Sequence, residues 1–434
     1  MPQTQLPVQT RAVLVSVALP NQSEREIEVS LAELERLLHT AGGEAEVKLI
    51  QNKVTPDPRT YLGSGKVREL AEICKNLNLE LVIFDCELSP AQIRNLEEDL
   101  PEHVRVIDRS MLILDIFALH AATSEGKLQV ELAQLQYTVP RLIGSGNVLS
   151  RLGGGIGTRG PGESKLEQDK RHLHRRMYAL QEELAQLEQN RAVTRKQRER
   201  SGLKRIAIAG YTNAGKSTLL NALTDAGILA QDLLFATLDP TTRKLSLPSG
   251  TEVLLTDTVG FIRNLPHHLI SAFKSTLDEV CFADILLVLC DASDPEWEAQ
   301  LGVTCDLLQE LGAQEKPTLY VLNKCDLCPQ ALPHFAGLSP ENVLFLSAKT
   351  KQGIGNLLAR LDALVHAGTT EETFLIPNEK AGVLSALYKE AQVVEVVYGD
   401  TSITVRAIVD EKAKGMFRTY CTSLPKEEKP EWED

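Results

Sequence analysis

Gly210, Gly215, Lys216 and Ser217 stand in the spacing G-x-x-x-x-G-K-S inside "LKRIAIAGYTNAGKSTLLNAL". An apolar run precedes them and a helical pattern follows, so the segment reads as strand, loop and helix. In that context the glycines let successive backbone N–H groups converge on phosphate oxygens, Lys216 reaches the outer phosphates, and the Ser217 hydroxyl is set to bind Mg²⁺. The helix N-terminus adds a favourable dipole. The whole loop of Gly210, Tyr211, Thr212, Asn213, Ala214, Gly215, Lys216, Ser217 and Thr218 is expected to wrap the phosphates.

Three further pieces follow in order, each at the end of an apolar run. In "VLLTDTVGF", Asp257 is placed to hold Mg²⁺ through water and Gly260 to offer its N–H to a γ-phosphate, with Thr258 and Val259 between them. In "LYVLNKCD", Asn323, Lys324, Cys325 and Asp326 present a carboxylate that can accept from the guanine N1–H and 2-amino group. Adenine has neither donor and would leave that carboxylate unpaired, which is a strong basis for rejection. In "VLFLSAK", the backbone of Ser347, Ala348 and Lys349 can contact the guanine carbonyl. Together the pieces predict GTP/GDP as ligand.

Between the first two lies "LFATLDPTTRK", covering Phe235, Ala236, Thr237, Leu238 and Asp239, all expected beside the nucleotide. Thr237 is the candidate to complete Mg²⁺ coordination, so the metal set is Ser217, Thr237 and Asp257; a plain polar loop is the other reading of Thr237. Lys216, Thr237, Gly260 and Asn213 are the residues expected to act on the reaction. A glutamine after Gly260 would orient water, but Phe261 stands there and cannot, so hydrolysis should be slow until a partner rearranges the site. The Asn213 carbonyl is a candidate ligand for K⁺ beside the phosphates.

The elements that position these residues divide the 434-residue chain. Residues 1–125 alternate strand and helix and predict a parallel α/β domain. Within it "YLGSGKVREL" has Gly63, Gly65 and Lys66, but Thr60 and Val67 occupy the decisive positions, so a turn before a helix is the reading. Residues 126–200 carry two seven-residue apolar repeats around "RLGGGIGTRGPGESKLEQ" and predict an antiparallel helical hairpin, with Pro140 near the end of its first arm. Residues 201–368 form the nucleotide domain, a mostly parallel sheet with helices on both faces. Residues 369–434 form a small α+β domain with a charged tail.

The glycine-rich segment lacks the Gly-Lys-Ser ending and follows a helix, so it is no second phosphate loop. It would sit at the hairpin tip with Arg151 and Arg159, followed by Lys170, Arg171, Arg175 and Arg176 on the second arm. Arginine pairs bidentately with phosphate and glycine permits close approach, which suits a folded RNA. A connector with solvated charges is the equal alternative.

The formal net charge of −13 argues against general nucleic-acid attraction but not against a local basic surface. Eight scattered cysteines, among them the CxxC pair Cys325 and Cys328, suggest a reducing compartment rather than a disulfide framework. No apolar run approaches the ~20 residues of a membrane span. A soluble cytoplasmic protein is expected; a monomer is compatible with the sequence.

The strings "DRSMLILDIFALHAATSEGKLQVELAQLQYTVPRL" and "GGGIGTRGPGESKLEQDKRHLHRR", with "FATLDPTTR" and "DTVGFI", resemble the HflX family of ribosome-associated GTPases. The resemblance covers nearly the whole chain. It implies binding to the large ribosomal subunit and its rRNA, with the hairpin tip entering the peptidyl-transferase region. It further implies GTP-dependent splitting or rescue of stalled or idle ribosomes, and turnover activated by the ribosome, since the family has a hydrophobic residue where Phe261 stands. ATP binding through the N-terminal region is a property of some members. A signalling GTPase with a protein-binding hairpin and an RNA-remodelling enzyme are the alternative classes; large-subunit stimulation of GTP turnover discriminates them.

Overall fold

A computed structural model describes residues 10–142, 161–199, 203–224, 233–235, 237–264, 266, 269, 274–328, 339–380 and 382–422. Its strands fall into three sheets. The first is all-parallel, in the order β2-β1-β3-β4, from β1 (Thr10–Ala18), β2 (Gly43–Asn52), β3 (Leu81–Phe84) and β4 (Arg105–Asp108). Helices α1 (Glu24–Thr40) and α3 (Pro90–Asp99) each begin with a reciprocal capping box, Ser23 with Glu26 and Ser89 with Gln92, and Pro90 opens α3. Helix α2 (Ser64–Leu77) starts after Gly63, and Lys66 pairs with Glu69 at 3.0 Å, so this second glycine-lysine segment is a helix start.

Helix α4 (Arg109–His120) is apolar on nearly every side because it is covered on nearly every side. It packs against α1 and against α5 (Ser124–Leu142). Ion pairs Arg176–Glu131 at 2.7 Å and Arg191–Glu125 at 2.8 Å join α5 to α6 (Pro161–Glu199). Higher numbers on one arm meet lower numbers on the other, so the pair is antiparallel. Pro140 lies inside the last turn of α5; it has no N–H to donate to the carbonyl of Gln136, and the helix ends two residues later.

The second sheet has the order β10-β9-β8-β5-β7-β6. Its strands are β5 (Arg205–Gly210), β6 (Thr241–Ser246), β7 (Glu252–Asp257), β8 (Ile285–Asp291), β9 (Thr318–Asn323) and β10 (Val343–Phe345). All neighbours pair parallel except β6 on β7. β8, "ILLVLCD", is buried over six consecutive residues, as a central parallel strand covered on both faces must be. β5 pairs with β7 on one side and β8 on the other, so the strand order reverses at its C-terminal end, where open α/β sheets place ligands. Strand β6 was not expected; "TTRKLS" buries only Leu245.

The third sheet is antiparallel, β11-β13-β12, from β11 (Thr369–Pro377), β12 (Gln392–Tyr398) and β13 (Ser402–Asp410). The helix Gly382–Glu390 precedes β12 in the chain.

One core crosses between the first two sheets. It joins Leu31, Ile113 and Phe117 beneath the first sheet to Tyr211, Phe235, Leu238, Val259 and Ile262 from the nucleotide loops. At about 25 cal/mol per Å² of apolar area removed from water, this shared burial ties the two sheets together strongly.

Candidate functional site: the nucleotide loops

Each loop residue owes its place to local backbone geometry. Gly210 ends β5 at φ 148°, and a Cβ there would sit 2.3 Å from the Leu289 carbonyl oxygen. Asn213 turns the chain at φ 63° and Gly215 at φ 94°; a Cβ on Gly215 would meet Asn323 Nδ2 at 2.3 Å. Lys216 opens the following helix, Lys216–Thr224, and is buried. Its Nζ donates to the carbonyls of Tyr211 at 2.8 Å and Gly210 at 3.2 Å, filling the loop. Burial lowers its pKa to about 8, against the pull of Asp257.

Ser217 Oγ donates to Asp257 Oδ2 at 2.7 Å and lies 2.9 Å from Thr237 Oγ1. Asp257 is fully buried, which raises its pKa against Lys216, Ser217 and Thr237, and its Oδ1 has no hydrogen-bond partner among the described residues. Octahedral Mg²⁺ with ligands at about 2.0–2.1 Å spaces neighbouring oxygens about 2.9 Å apart. The two hydroxyls already keep that spacing, and the orphaned carboxylate oxygen supplies charge beside them. The residues fit the metal.

The loop after β7 closes on the phosphate loop. Thr258 Oγ1 donates to the Ile208 carbonyl at 2.7 Å, and Thr212 N donates to the Phe261 carbonyl at 2.8 Å. Gly260 lets the two loops approach closely, since a Cβ there would stand 2.8 Å from Thr212 Cα. Phe261 is buried with Ala207, Ala209 and Leu277, turned into the core. Among the described residues, no side chain of this loop takes the place of a water-orienting amide.

Asn323 knits the base-side loops: its Nδ2 donates to the Ala214 carbonyl at 2.8 Å and its Oδ1 accepts from Ala348 N at 2.9 Å. Lys324, at φ 63°, pairs with Asp291 at 2.7 Å. Cys325 begins a 3₁₀ turn that leaves Asp326 exposed. Ser347 is buried with its Oγ accepting from Thr350 N at 3.1 Å, while Lys349 is exposed.

The segment before β6 departs from expectation in part. Thr237 joins the Ser217–Asp257 cluster, and Phe235 lines the phosphate cavity while its ring meets Phe117 edge-on at 4.8 Å. Leu238 is instead buried in the core shared with the first sheet, and the Asp239 carboxylate turns onto residues Ala122 and Thr123. Neither residue is among those lining the phosphate cavity. Ala236, Arg151 and Arg159 lie outside the described residues. Of the expected RNA contacts on α6, Lys170 is half-buried, Arg171 and Arg175 are exposed, and Arg176 is committed to Glu131 through two hydrogen bonds of 2.7 and 2.8 Å.

Sequence reasoning missed Glu33, Asp85 and Arg109. Buried Arg109 pairs with Glu33 and with Asp85 (2.7 Å), and donates to the Arg263 carbonyl at 3.2 Å. Burial opposes its charge, yet the two carboxylates hold its pKa above the usual guanidinium value. Tyr211 donates to the same Glu33 and accepts from Arg263 N at 2.8 Å. The available signal was an arginine opening an otherwise apolar helix, where it also opposes the helix dipole.

A parallel sheet with a phosphate loop at its switch point, a hydroxyl–carboxylate cluster beside it and a guanine-type carboxylate loop defines a P-loop GTPase. Residues 28–118 match the family described as GTP-binding GTPase N-terminal, residues 120–198 GTP-binding GTPase Middle Region, and residues 205–324 50S ribosome-binding GTPase. The GTPase HflX of Lacrimispora saccharolytica is 48% identical over 93% of this chain and 94% of its own. That of Escherichia coli is 42% identical over 96% of each. Among solved structures, a GTP-binding protein from Sulfolobus solfataricus in complex with GDP is 24% identical, covering 83% of this chain and 99% of that one, with a TM-score of 0.42. The chain belongs to the HflX family of GTPases, ribosome-associated enzymes that bind guanine nucleotide and hydrolyse GTP. Among the described residues no helix is long and apolar enough to cross a membrane.

Proposed function

We propose that this GTPase binds the large ribosomal subunit through its helical hairpin and couples its GTP-bound state to splitting or rescue of stalled or idle ribosomes. The observation that carries this reading is the meeting of Ser217, Thr237 and Asp257 beside a loop whose next residues reach the hairpin's root. In the proposed mechanism Ser217, Thr237 and Asp257 would hold Mg²⁺. The ion would neutralise charge on the β- and γ-phosphates. Lys216 leaves its two carbonyl partners for the outer phosphates, Gly260 offers its N–H to the γ-phosphate, and Asn213 would hold a K⁺ ion beside them. Asp326 reads guanine. With Phe261 turned into the core, the attacking water lacks an orienting side chain, and docking on the large subunit supplies that order. The divisions 1–125, 126–200, 201–368 and 369–434 serve as first domain, hairpin, motor and C-terminal module.

GTP turnover measured with and without purified large subunits tests the reading. Stimulation is expected to be at least tenfold and to vanish when residues 153–160 are deleted, with GTP binding retained. Turnover indifferent to the subunit overturns it.

A further inference from the structure

Thr237 and Asp239 are two residues apart and face different parts of the molecule. The Thr237 hydroxyl sits at Mg²⁺-ligand spacing from Ser217 Oγ, 2.9 Å. The Asp239 Oδ2 accepts from the backbone N–H of Ala122 and of Thr123, both at 2.8 Å, and its Oδ1 accepts from the Thr123 hydroxyl. Thr123 Oγ1 in turn accepts from Gly126 N at 3.0 Å, so Thr123 caps the first turn of α5 and Asp239 caps Thr123. A carboxylate at a helix N-terminus also meets its positive dipole end. Gly126 completes the fit: a Cβ there would stand 2.5 Å from Asp239 Oδ1. A cavity of about 510 Å³, bordered by Ser124, Arg191 and Glu279, lies beside this contact, so the hairpin root has room to shift.

We propose that Asp239 is the positioning residue through which nucleotide state reaches the hairpin. When GTP holds Thr237 inward, Asp239 is held on the start of α5; when hydrolysis releases Thr237, the carboxylate withdraws and the first turn of α5 loosens. This rests on the GTPase and hairpin reading above, and adds the route by which one governs the other.

The test is amide hydrogen exchange over residues 122–127 of the full chain with saturating GDP or GMPPNP, beside fluorescent-nucleotide titrations. In the unmodified chain exchange is expected to be at least tenfold slower with GMPPNP. Thr123→Val and Gly126→Ala, which alter only the hairpin side, should erase that difference while both nucleotides still bind. Alanine stabilises a helix relative to glycine, so a merely structural role would give Gly126→Ala slower exchange in both states with the difference intact. That result, or equal exchange with the two nucleotides in the unmodified chain, overturns the coupling while leaving the GTPase reading standing. Failure to bind either nucleotide overturns both.

Discussion

The phenol of Tyr211, inside the phosphate loop, donates its hydrogen bond to Glu33, 178 residues away on a helix of the first sheet. The same oxygen accepts from the Arg263 amide at 2.8 Å in the segment after Gly260. Burial and the Glu33 charge push the phenol's pKa up, so it stays a donor. The first domain thus has a direct grip on the loop that holds the phosphates. Tyr211→Phe leaves a buried carboxylate short of one donor and a backbone amide without its acceptor. We expect a loss of about 1–3 kcal/mol, read as an earlier urea transition; an unchanged midpoint would show that the grip carries no weight.

Lys216 makes nucleotide binding depend on pH. Its pKa is lowered from 10.5 to about 8 by burial. Between those values the unfolded chain binds more protons, so its contribution to stability rises with pH across that window. Nucleotide binding has the opposite sign. Phosphates favour the charged ammonium, so a proton is taken up, and GTP affinity should fall roughly tenfold per pH unit above about 8. Titrations at pH 7 and 9 check this; equal affinities contradict it. Lys216→Ala should remove measurable binding at either pH.

Asp326→Asn should loosen the choice of base. The amide keeps one acceptor but turns a donor toward the guanine 2-amino group. Affinity for GTP is expected to drop about a hundredfold. Xanthosine triphosphate, with an oxygen at that position, should gain. A variant that keeps its preference for GTP would place the base elsewhere.

Asn213 is the test of a monovalent cation. Replacing KCl by NaCl should lower the rate of GTP hydrolysis severalfold in the unmodified chain and leave Asn213→Ala unaffected. Equal rates in both salts remove K⁺ from the site.

The phosphate loop, the Asp257–Gly260 turn and the Asn323–Asp326 turn are legible in the sequence because each is a short run whose backbone geometry dictates its residue types. The parallel sheets are legible from their apolar runs, β8 above all. Strand β6 is not, since an edge strand with one buried side chain has no pattern to read. Neither are the partnerships of Asp239 with Thr123, 116 residues apart, or of Tyr211 with Glu33. Such contacts arise only when two elements fold onto each other, and no periodicity in either announces the other. The burial of Leu238 is illegible for the same reason: its neighbours in sequence line the phosphate cavity, while its neighbours in space belong to the first sheet.

The core shared by Phe117 and Phe235 sets an order of events during synthesis. Thr123 is added to the growing chain 116 residues before Asp239. At about 5–20 residues per second, the greasy flank of α1 and α4 waits for on the order of ten seconds before its cover arrives. The newborn N-terminal half therefore carries this apolar flank uncovered until the nucleotide loops follow it and fold over it.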